Sequence, residues 1–357
     1  MTEPGKHTFK EIMSQPKIWA EVLDLFVSHR QALTEFWQNG RFEQVIFTGC
    51  GSTYYLSLTA ATMFQESSGI SSQARPASEV VLFPEHVFMK DKNTLLVTIS
   101  RSGETTETVE AIQKFKNSVS GNVLTISTKS DSRVAKLSDF VLSCDSAEEE
   151  SIAQTRSFTS MLLLAQAFCA QVAGYDAYQV LSSLPRIIER LLEKYHDLAR
   201  ELGGTFGIER FSFLGSGIYY GVAQEAMLKM KEMSLSNSEA FHVLEFRHGP
   251  MSMVDNNSLI IGLISEGAAS QEREVLSEMH ALNGRILSVV ESSTSSLSEL
   301  GPVIELDSGL PAWARPVLYL PVLQLLAFYR AISQGQDPDN PANLDAVVKL
   351  QPLTFSS

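Results

Sequence analysis

The sequence predicts an α/β protein with two tandem, doubly wound parallel sheets, and two observations support this. First, apolar strands alternate with segments of helical spacing along much of the chain. Second, the pattern repeats, because VIFTGCGSTYYLSLTAATMFQE at 45–66 resembles FSFLGSGIYYGVAQEAMLKMKE at 211–232. Strands of a parallel sheet with helices on both faces are apolar almost throughout. We therefore expect two three-layer α/β/α domains with flanking helices.

The repeat also predicts the domain boundaries. Each half offers a second strand, turn and helix at 95–112 and 259–276, and a third strand at 122–128 and 285–291. Helical spacing before, between and after these units predicts helices there. We expect a helical segment at 1–40, a first domain at 41–175, a helical connector at 176–200, a second domain at 201–335 and a tail at 336–357.

Composition excludes several classes of partner. The formal net charge is −13, so the surface repels nucleic acid and anionic lipid. Cys50, Cys144 and Cys169 lack metal-ligand spacing, which predicts reduced thiols in the cytoplasm and no metal site. The N-terminus has no apolar signal core, and PVLYLPVLQLLAFY at 316–329 is short and contains two prolines. We expect a soluble cytoplasmic protein in which that segment is a buried helix.

The stretch LLVTISRSGETTETVEAI at 95–112 places hydroxyl groups where a strand becomes a helix. Ligands of doubly wound sheets bind beyond the carboxyl ends of strands, and a helix that begins there directs N–H groups at them. Ser100, Ser102, Thr105 and Thr106 would add hydroxyl donors, which suits a phosphate dianion. The alternative is that these residues only cap the helix.

The corresponding turn of the second half reads SEGAAS, where Glu266 would face any anion. One phosphate site per chain is therefore expected. A further turn, GCGST at 49–53, lacks the third glycine of a dinucleotide-binding fingerprint. It is either a tight strand-to-helix turn or a second wall of the phosphate pocket.

Ionisable residues share one face of the helix at QEAMLKMKEMS. Glu225, Lys229 and Glu232 are spaced i, i+4 and i+7, which fits either a solvated stripe or an acid–base group. His248 in EFRHGP lies on a predicted turn, and histidine suits proton transfer near neutral pH.

In combination, these motifs resemble the tandem sugar isomerase (SIS) domain family, especially the isomerase domain of glucosamine-6-phosphate synthase. The resemblance covers about residues 9–349 and rests on GCGST, SRSGETTET, ESIAQTRSFT, QEAMLKMKEMS, EFRHGP and DNPANLD in the family's order. It implies a flavodoxin-like fold for each domain.

The resemblance also implies a binding site for a hexose 6-phosphate. The implied phosphate-binding and sugar-lining residues are Ser100, Arg101, Ser102, Thr105, Gly51, Ser52, Thr53, Ile152, Ala153 and Gln154.

The implied catalytic residues lie in the second half. Glu232 matches the base that moves a proton between C1 and C2, with Lys229 and Glu225 as pocket neighbours. His248 matches a ring-opening histidine that reaches the site from the neighbouring subunit, which implies a homodimer with shared active sites. No cofactor is implied.

Two departures from the family pattern affect the predicted reaction. Thr2 follows Met1 where the synthase has a nucleophilic cysteine, so glutamine amidotransfer is not expected. The family's Schiff-base lysine falls at Ala346, and Lys349, three residues on, is the candidate substitute.

The expected function is a phosphosugar isomerase or deaminase for an amino sugar phosphate such as glucosamine 6-phosphate. The alternatives are a fructosamine-6-phosphate deglycase that releases glucose 6-phosphate and an amine, and a non-catalytic sugar-phosphate-binding regulator.

Overall fold

The computed structural model describes residues 4–89, 91–345 and 347, so Ala346 and Lys349 lie outside the described residues. The described chain forms two compact units, each containing one sheet. Lys17–Glu149 and Arg156–Ser182 form the unit called here the N-sheet unit. Glu150–Thr155 and Ser183–Leu344, with the described residues up to Pro16, form the C-sheet unit.

The first half of the chain contains nine helices and five strands within its described residues. The helices are α1 (Lys6–Met13), α2 (Gln15–Gly40), α3 (Ser52–Ser68), α4 (Ala77–Leu82), α5 (Pro84–Val87), α6 (Thr106–Ser118), α7 (Arg133–Lys136), α8 (Arg156–Val172) and α9 (Ala177–Leu181). The strands are β1 (Gln44–Gly49), β2 (Ser71–Pro76), β3 (Thr94–Ser100), β4 (Gly121–Ser127) and β5 (Phe140–Ser143). A 3₁₀ turn covers Asp145–Ala147.

The second half, again counted over its described residues, has five helices and five strands. The helices are α10 (Leu184–Gly204), α11 (Tyr220–Ser234), α12 (Ala269–Ala281), α13 (Ser295–Ser298) and α14 (Pro321–Ser333). The strands are β6 (Arg210–Gly215), β7 (Asn237–Phe241), β8 (Ser258–Leu263), β9 (Arg285–Val290) and β10 (Val303–Glu305). Short 3₁₀ helices cover Gly217–Tyr219, Leu244–Arg247, Pro250–Met253, Ala312–Ala314 and Pro316–Tyr319.

The two sheets have the same topology. The strand orders are β2-β1-β3-β4-β5 and β7-β6-β8-β9-β10, and every pairing is parallel. In this order the chain reverses direction across the sheet between β1 and β3, and between β6 and β8. The crevice at such a point, beyond the carboxyl ends of the strands, is where doubly wound sheets bind ligands. The predicted fold class is confirmed.

The central strands form because their residues are apolar and buried on both sides. Every residue of β1, β3 and β8 is buried. In the N-sheet unit, β1 and β3 pack against α4 and α6 through a cluster that includes Ile46, Leu96, Val109 and Phe115. This packing fixes the positions of the turns that follow β1 and β3.

One apolar segment among the described residues, Pro316–Ser333, is long enough to cross a membrane by length and composition. In the folded chain 83% of it is buried, as expected for a core helix. The predicted buried helix is confirmed as α14, Pro321–Ser333, and the predicted first turn is the separate 3₁₀ helix Pro316–Tyr319.

Candidate functional site

The turn between β3 and α6 is built by its own hydroxyl groups. The backbone N–H of Gly103 donates to Ser100 Oγ at 3.0 Å, and the N–H of Glu104 donates to Ser102 Oγ at 3.2 Å. Ser127 Oγ donates to the Ser100 carbonyl at 2.8 Å. Both turn hydroxyls accept in these bonds, so their own hydrogens can donate to an anion.

Gly103 is required in this turn for two reasons. Its φ is +63°, a left-handed conformation that side chains disfavour. A Cβ at this position would lie 2.1 Å from Ser132 Oγ. The turn therefore tolerates glycine only.

The hydroxyl of Thr105 does not cap the helix. Thr105 is the N-cap residue of α6, and its side chain makes no capping hydrogen bond. The capping alternative is therefore wrong for Thr105. The start of α6, with its partial positive charge, points beyond the end of β3.

A second turn lies beside the first. Thr53 Oγ1 accepts from the Cys50 N–H at 2.9 Å and donates to the Cys50 carbonyl at 3.0 Å, so this hydroxyl shapes the turn after β1. Gly51 adopts φ 55° and ψ −125°, and Ser52 is buried. Cys50 Sγ lies 3.6 Å from Thr108 Oγ1 of α6, which brings the two turns together at the switch point of the first sheet.

Arg101 contributes a positive charge at the same turn. Its guanidinium lies 3.8 Å from the carboxylate of Glu149, and the two side chains are 11% and 0% exposed. Ser157 Oγ also donates to Glu149. The sequence motifs did not single out Glu149, although it stands in the acidic run EEE at 148–150.

The corresponding turn of the C-sheet unit already contains an anion. The carboxylate of Glu272 on α12 accepts from the Ser265 N–H at 2.7 Å and from Ser265 Oγ at 3.0 Å. Glu272 aligns with Thr108 in the repeat and is 1% exposed. Glu266 was expected to face any anion bound at this turn. Its carboxylate instead forms an ion pair with the Arg315 guanidinium, with an N–O distance of 3.0 Å.

The ionisable residues of α11 form a buried cluster. Lys229 Nζ lies 3.5 Å from Glu225 Oε1 and donates to Glu232. The side chains of Glu225 and Lys229 are 0% and 1% exposed, whereas that of Glu232 is 18% exposed. The alternative of a solvated stripe is therefore excluded. Buried charges need partners, and here one ammonium bridges two carboxylates with Glu232 at the solvent side.

His248 is exposed and follows the 3₁₀ helix Leu244–Arg247. Its backbone N–H donates to the Glu245 carbonyl at 3.0 Å. The neighbouring Arg247 makes a double hydrogen bond to Glu278 of α12 at 2.7 and 2.8 Å. This pair anchors the loop that carries the imidazole.

The remaining expected site residues, Ile152, Ala153 and Gln154, lie in the C-sheet unit. Ser100, Arg101, Ser102, Thr105 and the turn after β1 lie in the N-sheet unit. Across residues 4–89, 91–345 and 347, no group of three or more His, Cys, Asp or Glu side chains is arranged to hold a metal ion.

Comparison with known proteins gives relatives over nearly the whole chain. The glutamine–fructose-6-phosphate aminotransferases (isomerizing) of Legionella pneumophila (strain Lens) and Methanothermobacter thermautotrophicus are each 28% identical to it over 98% of its length. The chain spans 59% of the length of each of these curated relatives.

Solved structures match the fold. Glucosamine-6-phosphate deaminase from Thermotoga maritima matches with a TM-score of 0.76 and 28% identity, covering 97% of this chain and 100% of that one. Tagatose-6-phosphate ketose/aldose isomerase from Escherichia coli matches with a TM-score of 0.84 and 23% identity, covering 96% and 98%, and shows the likeness of fold alone.

The family model described as "SIS domain" matches this chain twice, at residues 41–170 and 208–327. Each match contains one of the two sheets and the turns at its switch point. The resemblance of the motifs is confirmed, and the chain belongs to the SIS domain family.

Proposed function

We propose that the protein is a phosphosugar isomerase of deaminase type, which converts an amino sugar phosphate such as glucosamine 6-phosphate to fructose 6-phosphate and ammonia. The observation that carries the proposal is the Glu225–Lys229–Glu232 cluster, in which a partly exposed carboxylate is held by a buried ammonium. The match to a glucosamine-6-phosphate deaminase, which covers 100% of that chain, supports this choice.

The turn after β3 provides the binding energy that orients the sugar. A phosphate dianion would accept from the hydroxyls of Ser100 and Ser102 at the start of α6 and would be balanced by Arg101. Because this group does not react, its binding energy serves to position C1 and C2.

The reaction is a proton transfer followed by hydrolysis. His248 assists opening of the ring, which exposes the C1 aldehyde. Glu232 removes the proton from C2 while the C1 oxygen takes a proton from water, giving an enolamine with a hydroxyl on C1 and the amine on C2. Return of the C2 proton to C1 gives a C2 iminium, to which the hydroxide left by that water adds, and loss of ammonia from the adduct leaves the ketose.

Lys229 fixes the base in this scheme. Its ammonium donates to Glu232 and lies beside Glu225, so the Glu232 carboxylate is oriented from the buried side of α11. An oriented, partly exposed carboxylate supports a role for Glu232 as the general base.

We propose that the enzyme releases ammonia from the amino sugar and does not transfer nitrogen from glutamine. Burial raises the pKa of the Cys50 thiol to about 11 and that of Cys144 to about 12, and burial also raises the pKa of Cys169. All three thiols are thus protonated at neutral pH, and none is the thiolate that nucleophilic attack on glutamine needs.

The exposed position of His248 fits a role in a neighbouring subunit. We extend the proposal to a homodimer in which this imidazole completes the site of the other copy. The Arg247–Glu278 double hydrogen bond would keep the loop in place without that partner.

Replacement of Glu232 by Gln tests the proposal. The variant keeps the size of the side chain but removes the base, so kcat should fall by about 10²–10⁴ while the dissociation constant for fructose 6-phosphate stays within about twofold. The exposed Glu239, on the strand that follows α11, supplies the control Glu239→Gln, which should leave both values unchanged. Near-normal turnover by Glu232→Gln would exclude Glu232 as the base.

A further inference from the structure

The segment 150–155 is attached to helix α1 by one buried carboxylate. Glu11 is 2% exposed, and its Oε1 accepts from the Glu150 N–H at 2.6 Å and from the Ser151 N–H at 3.4 Å. Its other oxygen accepts from the Ser151 hydroxyl. Glu11 thus binds three donors of one short segment.

The next residue of the segment is bound by the stretch after α14. The Ile152 N–H donates to the Asp339 carbonyl at 3.1 Å. The Asp339 carboxylate in turn accepts from the Thr8 N–H and hydroxyl, each at 2.7 Å, and from the His7 N–H at 3.0 Å. The first turn of α1 therefore fixes Asp339, and Asp339 fixes Ile152.

The far end of the segment is also bound. Gln324 of α14 is 0% exposed, and its Nε2 donates to the Thr155 carbonyl at 3.2 Å. Gln15, equally buried, donates to Gln324 Oε1 at 3.1 Å. Both ends of 150–155 are therefore set by buried polar side chains of the C-sheet unit.

Gln154 differs from its neighbours. Its Oε1 is buried, and among the described residues it has no hydrogen-bond partner. A buried acceptor without a donor costs about 1–3 kcal/mol, so this amide oxygen, in a segment that Glu11, Asp339 and Gln324 hold in place, is available to a donor from a ligand. Hydroxyl and ammonium hydrogens are the donors that an amino sugar offers.

We propose that Glu11 is a positioning residue, which holds 150–155 so that the amide oxygen of Gln154 accepts a hydrogen bond from a hydroxyl or ammonium group of the sugar. This inference rests on the proposed function for the identity of the ligand. It assigns a role in substrate recognition to α1, which precedes both sheets and lies outside both family matches.

The C-sheet unit contains a matched control for Glu11. Glu291, 8% exposed, accepts from the N–H groups of Ser308 and Gly309 at 3.0 and 2.7 Å and from Ser308 Oγ at 2.7 Å. Glu291 therefore binds two backbone N–H groups and one serine hydroxyl, as Glu11 does, but in a different segment. It also lies 3.4 Å from Arg315 Nε, so Ser308→Ala is the closer control for Ser151→Ala.

The experiment compares Glu11→Gln and Ser151→Ala with Glu291→Gln and Ser308→Ala in the full chain. Dissociation constants for glucosamine 6-phosphate and for inorganic phosphate are measured by calorimetry, and amide hydrogen exchange is followed at 152–154. We expect the Glu11 and Ser151 variants to bind the sugar phosphate about tenfold more weakly, as for one lost hydrogen bond, and inorganic phosphate as before. Exchange at 152–154 should accelerate in these two variants only.

Several outcomes would overturn the inference. If the Glu11 and Glu291 variants lose equal affinity for the sugar phosphate, Glu11 has only a general structural role. If amide hydrogen exchange at 152–154 is unchanged in the Glu11 and Ser151 variants, Glu11 does not position the segment. If Glu11→Gln does not fold, Ser151→Ala carries the same test. Wild-type protein that binds no hexose 6-phosphate would instead overturn the proposed function, whereas the exchange measurement would still decide whether Glu11 holds the segment.

Discussion

Glu272 illustrates how a single buried residue makes the two halves of the repeat differ. The aligned residue of the first half is Thr108, a neutral side chain near the turn after β1. The carboxylate of Glu272 instead accepts hydrogen bonds from the Ser265 N–H and hydroxyl. The aligned turn of the first half is the one expected to bind phosphate. The protein thus has its own carboxylate at the second switch point, where the sequence analysis expected Glu266, and this supports the proposal of one phosphate site per chain.

Glu272 also makes stability depend on pH. Burial raises its pKa above the usual value, while the two Ser265 hydrogen bonds act in the opposite direction. At pH values between the unfolded-state and folded-state pKa of Glu272, the carboxyl is protonated in the folded protein and ionised in the unfolded chain. The contribution of Glu272 to stability therefore falls as pH rises through its folded-state pKa.

The variant Glu272→Gln removes that titration. We predict that the free energy of unfolding of Glu272→Gln minus that of wild type increases as pH rises from about 4 toward neutral. Urea unfolding of both proteins at several pH values measures it. A difference that is independent of pH, or that decreases, would contradict the assigned direction.

At the scale of elements, the strand-turn-helix unit is used in both halves with different backbone requirements. Gly103 in the first half needs a left-handed conformation and leaves no room for a Cβ beside Ser132. Gly267, its counterpart in the repeat, has nothing within 4 Å of a Cβ position and does not adopt a positive φ. The tight turn is therefore confined to the half that is proposed to bind phosphate.

The two glycines provide a matched pair of substitutions. Gly103→Ala should destabilise the fold by about 1–3 kcal/mol and weaken phosphate binding, because the strained turn and the clash displace Ser100 and Ser102. Gly267→Ala should change stability by no more than about 0.5 kcal/mol. Thermal unfolding and phosphate calorimetry measure both effects, and equal behaviour of the two variants would show that the turn geometry is not what binds the anion.

At the scale of the whole molecule, the repeat predicts the two sheets, their central strands and the turns at the switch points. The four strands that the sequence did not predict, β2, β5, β7 and β10, are the sheet edges. Edge strands are short or polar because they have one neighbour only, as in SSQARP and NSEAF. Hydrogen bonds such as Glu11–Ser151, which join residues 140 positions apart, leave no local pattern to detect.

The proposed homodimer predicts complementation between inactive variants. Glu232→Gln and His248→Ala should each be inactive alone. Mixed under conditions that allow subunit exchange, they should recover about a quarter of wild-type activity, because half of the dimers are hybrids and each hybrid has one intact shared site. No recovery, despite hybrids shown by mass spectrometry, would place His248 in the same subunit's site or outside it.

The central claim is that a carboxylate on α11 moves a proton along a sugar whose phosphate is bound by the turn after β3. The most direct measurement is a product assay with glucosamine 6-phosphate and no glutamine, following fructose 6-phosphate and ammonia together in wild type and in Glu232→Gln. We predict that the two products appear in equal amounts in wild type and disappear in the variant. Binding of glucosamine 6-phosphate with neither product formed would contradict the claim.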